Sequence, residues 1–173
     1  MTISPSKITI FGPPGSGKTT LAIKMGQSSH LPVFHLDKLL WDTGWVLRPR
    51  QDFLEDHQKL IDLEAWIIEG TSRTTLDIRY PLSDLVIFLN PPRFVCLYRI
   101  FKRFFLTRAP MPDKPTGCEE RVTWEFIKYL WRFKKPASQQ IDKLKVEYPD
   151  IRIIEIKSRK YGFTEANVIF PQQ

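Results

Sequence analysis

Gly12-Pro13-Pro14-Gly15-Ser16-Gly17-Lys18-Thr19-Thr20 is the stretch on which the reading of this chain turns. Its first eight residues satisfy G-x-x-x-x-G-K-[ST], and each type has a chemical reason to be there. Glycines let the backbone turn its N–H groups inward around phosphate oxygens, Lys18 brings a point charge to the transferred phosphates, and the Thr19 hydroxyl can coordinate Mg²⁺. Residues 12 to 20 are therefore expected to hold a nucleotide through its phosphates. The β-branched and aromatic run before them, Lys7 to Phe11 (KITIF), reads as a strand. The run that opens at Lys18 (KTTLAIKM) reads as a helix, whose positive end would add to the loop's pull on an anion.

Working outward, the spacing predicts a second short strand at Val33 to His35, a helix from Arg50 to Leu63, and strands at Ala65 to Glu69 (AWIIE) and Leu85 to Leu89 (LVIFL). Continuous apolar runs of strand length are what strands buried on both faces of a parallel sheet look like. From Arg93 the period changes. Phe94, Leu97, Tyr98, Phe101, Phe104 and Phe105 are expected to form the apolar face of a helix, with Arg99, Lys102 and Arg103 on another face. A Pro- and Gly-containing break follows (109 to 117), then a helix with Trp124, Ile127 and Trp131, and a last strand at Ile151 to Ile156. Five strands alternating with helices predict an α/β P-loop NTPase with a doubly wound five-stranded parallel sheet, its ligands at the carboxyl ends of the strands. One domain is expected over residues 1–173, with an acceptor-binding insertion at about 36–64 and a helical lid at about 107–135.

The chain has 173 residues, 42% of them hydrophobic and 26% charged, which excludes a disordered or fibrous protein and allows one sizeable core. Between Arg93 and Lys135 eleven Lys or Arg face four acids, so this segment carries the whole net charge of +7. Such an excess attracts phosphate, on a nucleotide or along a nucleic acid. Two cysteines, Cys96 and Cys118, lack metal-site spacing and are expected as buried thiols of a reducing compartment. No signal-peptide core and no run long enough to span a bilayer is seen, so the expected location is cytoplasmic and no membrane partner is expected.

A second element, TrpIleIleGlu69-Gly70-Thr71-Ser72-Arg73, falls at the end of the third strand. A carboxylate there lies beside the Mg²⁺ shell of a P-loop protein, reaching the metal through water, and Arg73 would project toward a phosphate. Asp37, after the second strand, reads either as a base that takes a proton from an acceptor hydroxyl or as a helix N-cap. Trp41 and Trp45 either stack on a base or roof a small apolar cluster. His30 and His57 read as ordinary surface or helix residues, and His35 as structural.

The combination resembles nucleoside monophosphate kinases: GPPGSGKTT, then EGTSRT where adenylate kinases carry Asp-Gly-Phe-Pro-Arg-Thr, then Arg99 and Arg103 where they carry a pair of arginines four apart. It is more similar to the adenylate-kinase-related group known as DNA topology modulation proteins. His35-Leu-Asp37 through Trp45, ValIlePheLeuAsnProProArg93 and Gly117-Cys118-Glu119 carry that likeness, which spans Ile8 to about Lys157. The resemblance implies a kinase that moves the γ-phosphoryl of Mg-ATP to a nucleotide, nucleoside or other small acceptor, as a monomer or weak dimer. Lys18, Asp37, Arg73, Arg99 and Arg103 would be catalytic. Asp37, Trp41, Trp45, Glu69, Gly70, Arg73 and Arg79 would bind the acceptor, Thr19 and Glu69 the metal, and Arg99, Ser158 and Arg159 would join the loop in holding ATP. Glu69 stands where the kinases have aspartate, and Thr71-Ser72 where adenylate kinases have Phe-Pro. No arginine matches the one they place after the second strand, which argues against AMP. Two other readings stay open: an ATP-binding, DNA-associated regulator without small-molecule kinase activity, and an inactive nucleotide-binding scaffold. No helix-turn-helix signature or zinc-finger spacing favours DNA.

Overall fold

The computed structural model describes residues 5–106, 115, 117–118 and 121–157. In chain order its elements are β1 (Lys7–Phe11), α1 (Lys18–Ser29), β2 (Val33–His35), α2 (Leu36–Leu40), β3 (Trp41–Asp42), β4 (Val46–Leu47), α3 (Arg50–Ile61), β5 (Trp66–Gly70), α4 (Leu76–Arg79), β6 (Leu85–Leu89), α5 (Arg93–Leu106), α6 (Trp124–Glu147) and β7 (Arg152–Ile156). A 3₁₀ turn, Tyr80–Leu82, follows α4. Five strands form one parallel sheet in the order β2-β5-β1-β6-β7, as the apolar runs predict. β3 and β4 pair separately as a small antiparallel hairpin.

The strands' two-residue alternation divides the core. Ile8, Ile10, Ile67, Leu85 and Ile87 pack with Leu21, Ala22 and Met25 of α1 on one face of the sheet. Phe11, Val86 and Phe88 pack with Phe133, Ala137, Ile141 and Leu144 of α6 on the other. A third cluster, Leu36, Phe53, Ile61, Trp66 and Ile68, fixes α2 and α3 over β5. Burying a Leu- or Phe-sized side chain is worth about 1.5–3 kcal/mol, so these clusters anchor the sheet and α1, α2, α3 and α6.

Two expectations are made definite. The aromatic stripe of α5 does not face the core: Phe94, Tyr98 and Phe105 are 72%, 65% and 73% exposed. Cys96 and Ile100 are the buried residues instead, packed with Leu130 of α6 and flanked by Leu97. The reason is the phosphate loop, which sits on that side of the helix. Gly15, at φ +72°, comes so near that a Cβ there would lie 2.7 Å from the Cys96 carbonyl and 2.9 Å from Ile100. Of the two places read for His57, surface or helix, the helix is the one it takes: it is buried in α3 beside Phe53. Loss of water, then the nearby Arg79 charge, lowers its pKa to about 4.

α6 continues to Glu147, through Pro136, well beyond the aromatic residues that predicted its start. Cys96 and Cys118 are both free and buried, as expected. No described helix is long and apolar enough to cross a membrane.

Candidate functional site

β1 ends against the loop at residues 12–17, and α1 begins at Lys18, so the strand-loop-helix order of the sequence is the order in space. The Lys18 ammonium arches back over the loop and donates to the Pro13 carbonyl at 3.1 Å, with the residue almost fully buried. Arg99, on α5, donates to the Ser16 carbonyl at 2.8 Å and also approaches that of Gly15 at 3.5 Å. Two cations thus stand on the loop, one from its own helix and one from α5. Arg103 lies one turn farther along α5 and faces the same cavity.

The sheet order places β5 between β1 and β2, and so brings Glu69 between the loop and His35. Glu69 is buried, and one of its oxygens, Oε1, meets both neighbours. It accepts from the Thr19 hydroxyl at 3.2 Å and lies 2.8 Å from His35 Nδ1. The additional methylene of glutamate lets the carboxylate reach Thr19, and His35 fixes its direction. A hydroxyl and a carboxylate side by side fit Mg²⁺, which keeps most of its waters and takes one or two protein oxygens. No cluster of three or more His, Cys, Asp or Glu suited to a metal occurs among the described residues.

These groups open onto a cavity of about 670 Å³, within the range of small-molecule sites. Its wall opposite the loop is built from Asp37 and Leu40 of α2, Trp41 and Trp45 of the hairpin, Thr71 after β5, and Phe126 and Tyr129 of α6. Asp37 sits in the first turn of α2, whose N-cap is His35, so the N-cap alternative for Asp37 is not what forms. Trp41 and Trp45 meet edge to face, with centroids 5.5 Å apart at 74°. Thr123 caps α6 by accepting from the Phe126 N–H at 3.2 Å, which sets the turn that carries Glu125, Phe126 and Tyr129. Tyr129 shares a hydrogen bond with Thr71. Desolvation of its phenol raises its pKa, so it remains a neutral donor. The hairpin is held from the other side by Cys118, whose thiol donates to the Asp42 carbonyl at 3.3 Å.

Other expected site residues lie elsewhere. Arg73 is exposed and off the cavity: its Nε donates to Gln140 of α6 at 3.1 Å, while the Gln140 amide donates to the Arg73 carbonyl at 2.9 Å and to Asp77 at 2.8 Å. Arg79 has no exposure at all and donates to Thr75 Oγ1 at 2.6 Å and the Ser72 carbonyl at 3.3 Å. It braces the loop before it and cannot touch an acceptor as placed. Burial pushes its pKa down to about 9. Gly70 packs under Leu36, where a Cβ would come within 2.7 Å. Two more arginines flank or lie within the segment that the sequence suggests as a lid: Arg121, which does line the cavity, and Arg132, which is exposed away from it. Ser158 and Arg159, with residues 107–114 of the expected lid, lie outside the described residues. Leu40, Thr71, Thr123, Glu125, Phe126 and Tyr129 were not foreseen; the three-residue spacing of Phe126 and Tyr129 marks a helix face but not what it faces.

No family model matches the sequence, and no curated protein matches it. Its fold does recur among solved structures. Shikimate kinase from Acinetobacter baumannii in complex with shikimate superposes with a TM-score of 0.59 at 14% identity, over 95% of this chain and 92% of that one. A gluconokinase from Sinorhizobium meliloti 1021 gives 0.56 at 15% identity, over 96% and 92%. Deoxyadenosine kinase from M. mycoides with bound dATP gives 0.55 at 15%, over 95% and 96%. The chain has the P-loop NTPase fold of these kinases.

Proposed function

We propose that this chain is a phosphotransferase that moves the γ-phosphoryl of Mg-ATP to the hydroxyl of a small-molecule acceptor. One observation carries the reading: a single cavity is lined both by the Lys18 and Arg99 cations, held on the loop, and by the Asp37 carboxylate of α2. The fold shared with kinases of three different acceptors supports it. So does the motif at Gly12–Thr19.

In this reading residues 12–20 hold the phosphates by backbone N–H groups, and Lys18 exchanges its Pro13 carbonyl for the β- and γ-phosphates. Thr19 and Glu69 would hold Mg²⁺, which when bound neutralises the phosphate oxygens. Arg99 and Arg103 supply charge over the transferred group, where phosphoryl transfer spreads its negative charge. Asp37 accepts the proton of the attacking hydroxyl. Ser158 and Arg159 would meet the adenine. The likeness to the topology modulation group adds no acceptor. Isothermal calorimetry with Mg-ATP, followed by ADP release over a panel of nucleosides, nucleoside monophosphates and sugars, tests the reading; no ATP binding, or binding indifferent to Lys18, defeats it.

A second reading, a DNA-associated regulator that uses ATP as a switch, draws on Lys102, Lys128, Arg132 and Lys135, which are exposed and off the cavity. It expects tight, sequence-selective DNA binding that survives about 200 mM salt, whereas charge alone gives weak binding lost by then. Filter binding over a salt series separates the two.

A further inference from the structure

We propose that the outer face of α5 and α6 is a docking surface for an anionic lipid membrane, on which the protein lies without crossing it. The proposal does not rest on the phosphotransferase reading. The expectation of no membrane partner came from the lack of a spanning run, which a surface contact does not need.

Apolar area is the first argument. Phe94, Tyr98, Phe101 and Phe105 follow one another at i, i+4, i+7 and i+11, so they form one stripe about 16 Å long on α5, and all four are exposed. α6 repeats the spacing with Trp124, Lys128, Trp131 and Lys135, each of them exposed. Phe94 meets Trp131 edge to face at 5.5 Å, which joins the two stripes into one surface. None of these side chains lines the cavity. Single exposed apolar side chains are ordinary, but contiguous ones mark a surface that meets a partner.

Charge names the partner. Lys102 of α5 and Lys128, Arg132 and Lys135 of α6 are exposed on the same two helices. Among the described residues from 93 to 135 the one acid is Glu125, and it lines the cavity. A second copy of this chain would set these cations against their own kind, which disfavours a face-to-face dimer. A single-stranded nucleic acid would complement the charge, but its bases stack on open ring faces. Here Phe101 and Phe105 stack on each other at 15°, Lys128 lies 5.4 Å from the centre of the Trp124 ring, and Arg93 lies 5.3 Å from that of Trp131. Lipid tails contact ring edges as readily as faces. Tyr and Trp settle at the depth of the headgroups, where the long side chains of Lys and Arg reach the anionic surface.

The test uses the full chain and sedimentation with lipid vesicles, phosphatidylserine mixed with phosphatidylcholine against phosphatidylcholine alone. We expect binding to the mixed vesicles that is at least about tenfold weaker on the neutral ones and is lost as salt rises through about 500 mM. Lys128→Glu with Lys135→Glu should cost about tenfold or more, since each cation near an anionic surface is worth about fivefold. Tyr98→Ser with Phe105→Ser, which leaves the charge unchanged, should also cost about tenfold. Both variants should keep the parent's melting temperature, because the side chains are exposed; should the aromatic pair unfold the chain, Tyr98→Ser alone takes its place. No binding to the mixed vesicles, equal binding to the neutral ones, or full binding by the aromatic variant would overturn the proposal. So would dimerisation without vesicles, or binding of oligothymidylate in place of vesicles, that the aromatic variant abolishes: the first gives the face to a second copy, the second to nucleic acid.

Discussion

The two walls of the cavity are built differently. The loop wall is local: residues 12–20 are contiguous, and their chemistry follows from backbone N–H groups, one ammonium and one hydroxyl. The opposite wall is assembled from α2, the β3–β4 hairpin, the turn after β5 and the start of α6, which span more than ninety positions in the sequence. A contiguous anion cradle can be reused with many acceptors, because it contacts only what all of them share. A wall drawn from four elements can change one residue at a time, and that is where specificity is set.

The comparison breaks most sharply at Asp37. Asp37→Asn should lower turnover by roughly 10²- to 10⁴-fold, the scale of lost general-base catalysis, while ATP affinity stays within a few-fold. Single-turnover kinetics beside calorimetry would show it, and a collapse of ATP binding would mean the two walls are not separate in function. Lys18→Ala is the converse. Loss of a buried cation against phosphate costs about 3 kcal/mol, or roughly a hundredfold in ATP affinity, with acceptor binding measured alone unchanged.

A pH series sharpens the contrast through stability. His57 is buried in α3, on the acceptor side, with its pKa lowered to about 4. The unfolded chain takes up this proton below about pH 6.5, and the folded chain resists it until about pH 4. Stability is therefore complete above pH 6.5 and declines as the pH falls, by up to about 3 kcal/mol. Urea unfolding between pH 7 and pH 4 measures this, and His57→Gln should flatten the dependence; an equally steep profile in the variant would assign it to other groups. The smallest effect is expected at Arg73, exposed and held by Gln140. Arg73→Ala should change acceptor KM by no more than a few-fold. A loss of tenfold or more in kcat would show that Arg73 leaves Gln140 and enters the cavity during turnover.

The sequence reading carried the strand-loop-helix unit, the five strands and the place of Glu69, because each is written in spacing a few residues long. What α5 faces it left open, for a physical reason. Six aromatic and aliphatic residues at helical spacing mark an apolar face but not what covers it: the loop at Gly15 occupies the Cys96–Ile100 side, and the helix turns Arg99 to the loop. Hydrophobicity was outvoted by the need to hold Arg99 against Ser16.

By itself, then, the sequence determined the phosphate loop, the parallel α/β sheet and the wall on which a triphosphate would sit, since local backbone chemistry and strand-length apolar runs require no partner to be read. Only the tertiary structure decided that Glu69 bridges Thr19 and His35, that Tyr129 and Thr71 line the cavity with Asp37 while Arg79 is sealed away from it, and that His57 is buried. Those outcomes depend on which strands lie side by side and which helix face is already taken, and residues seventy positions apart carry no local mark of either.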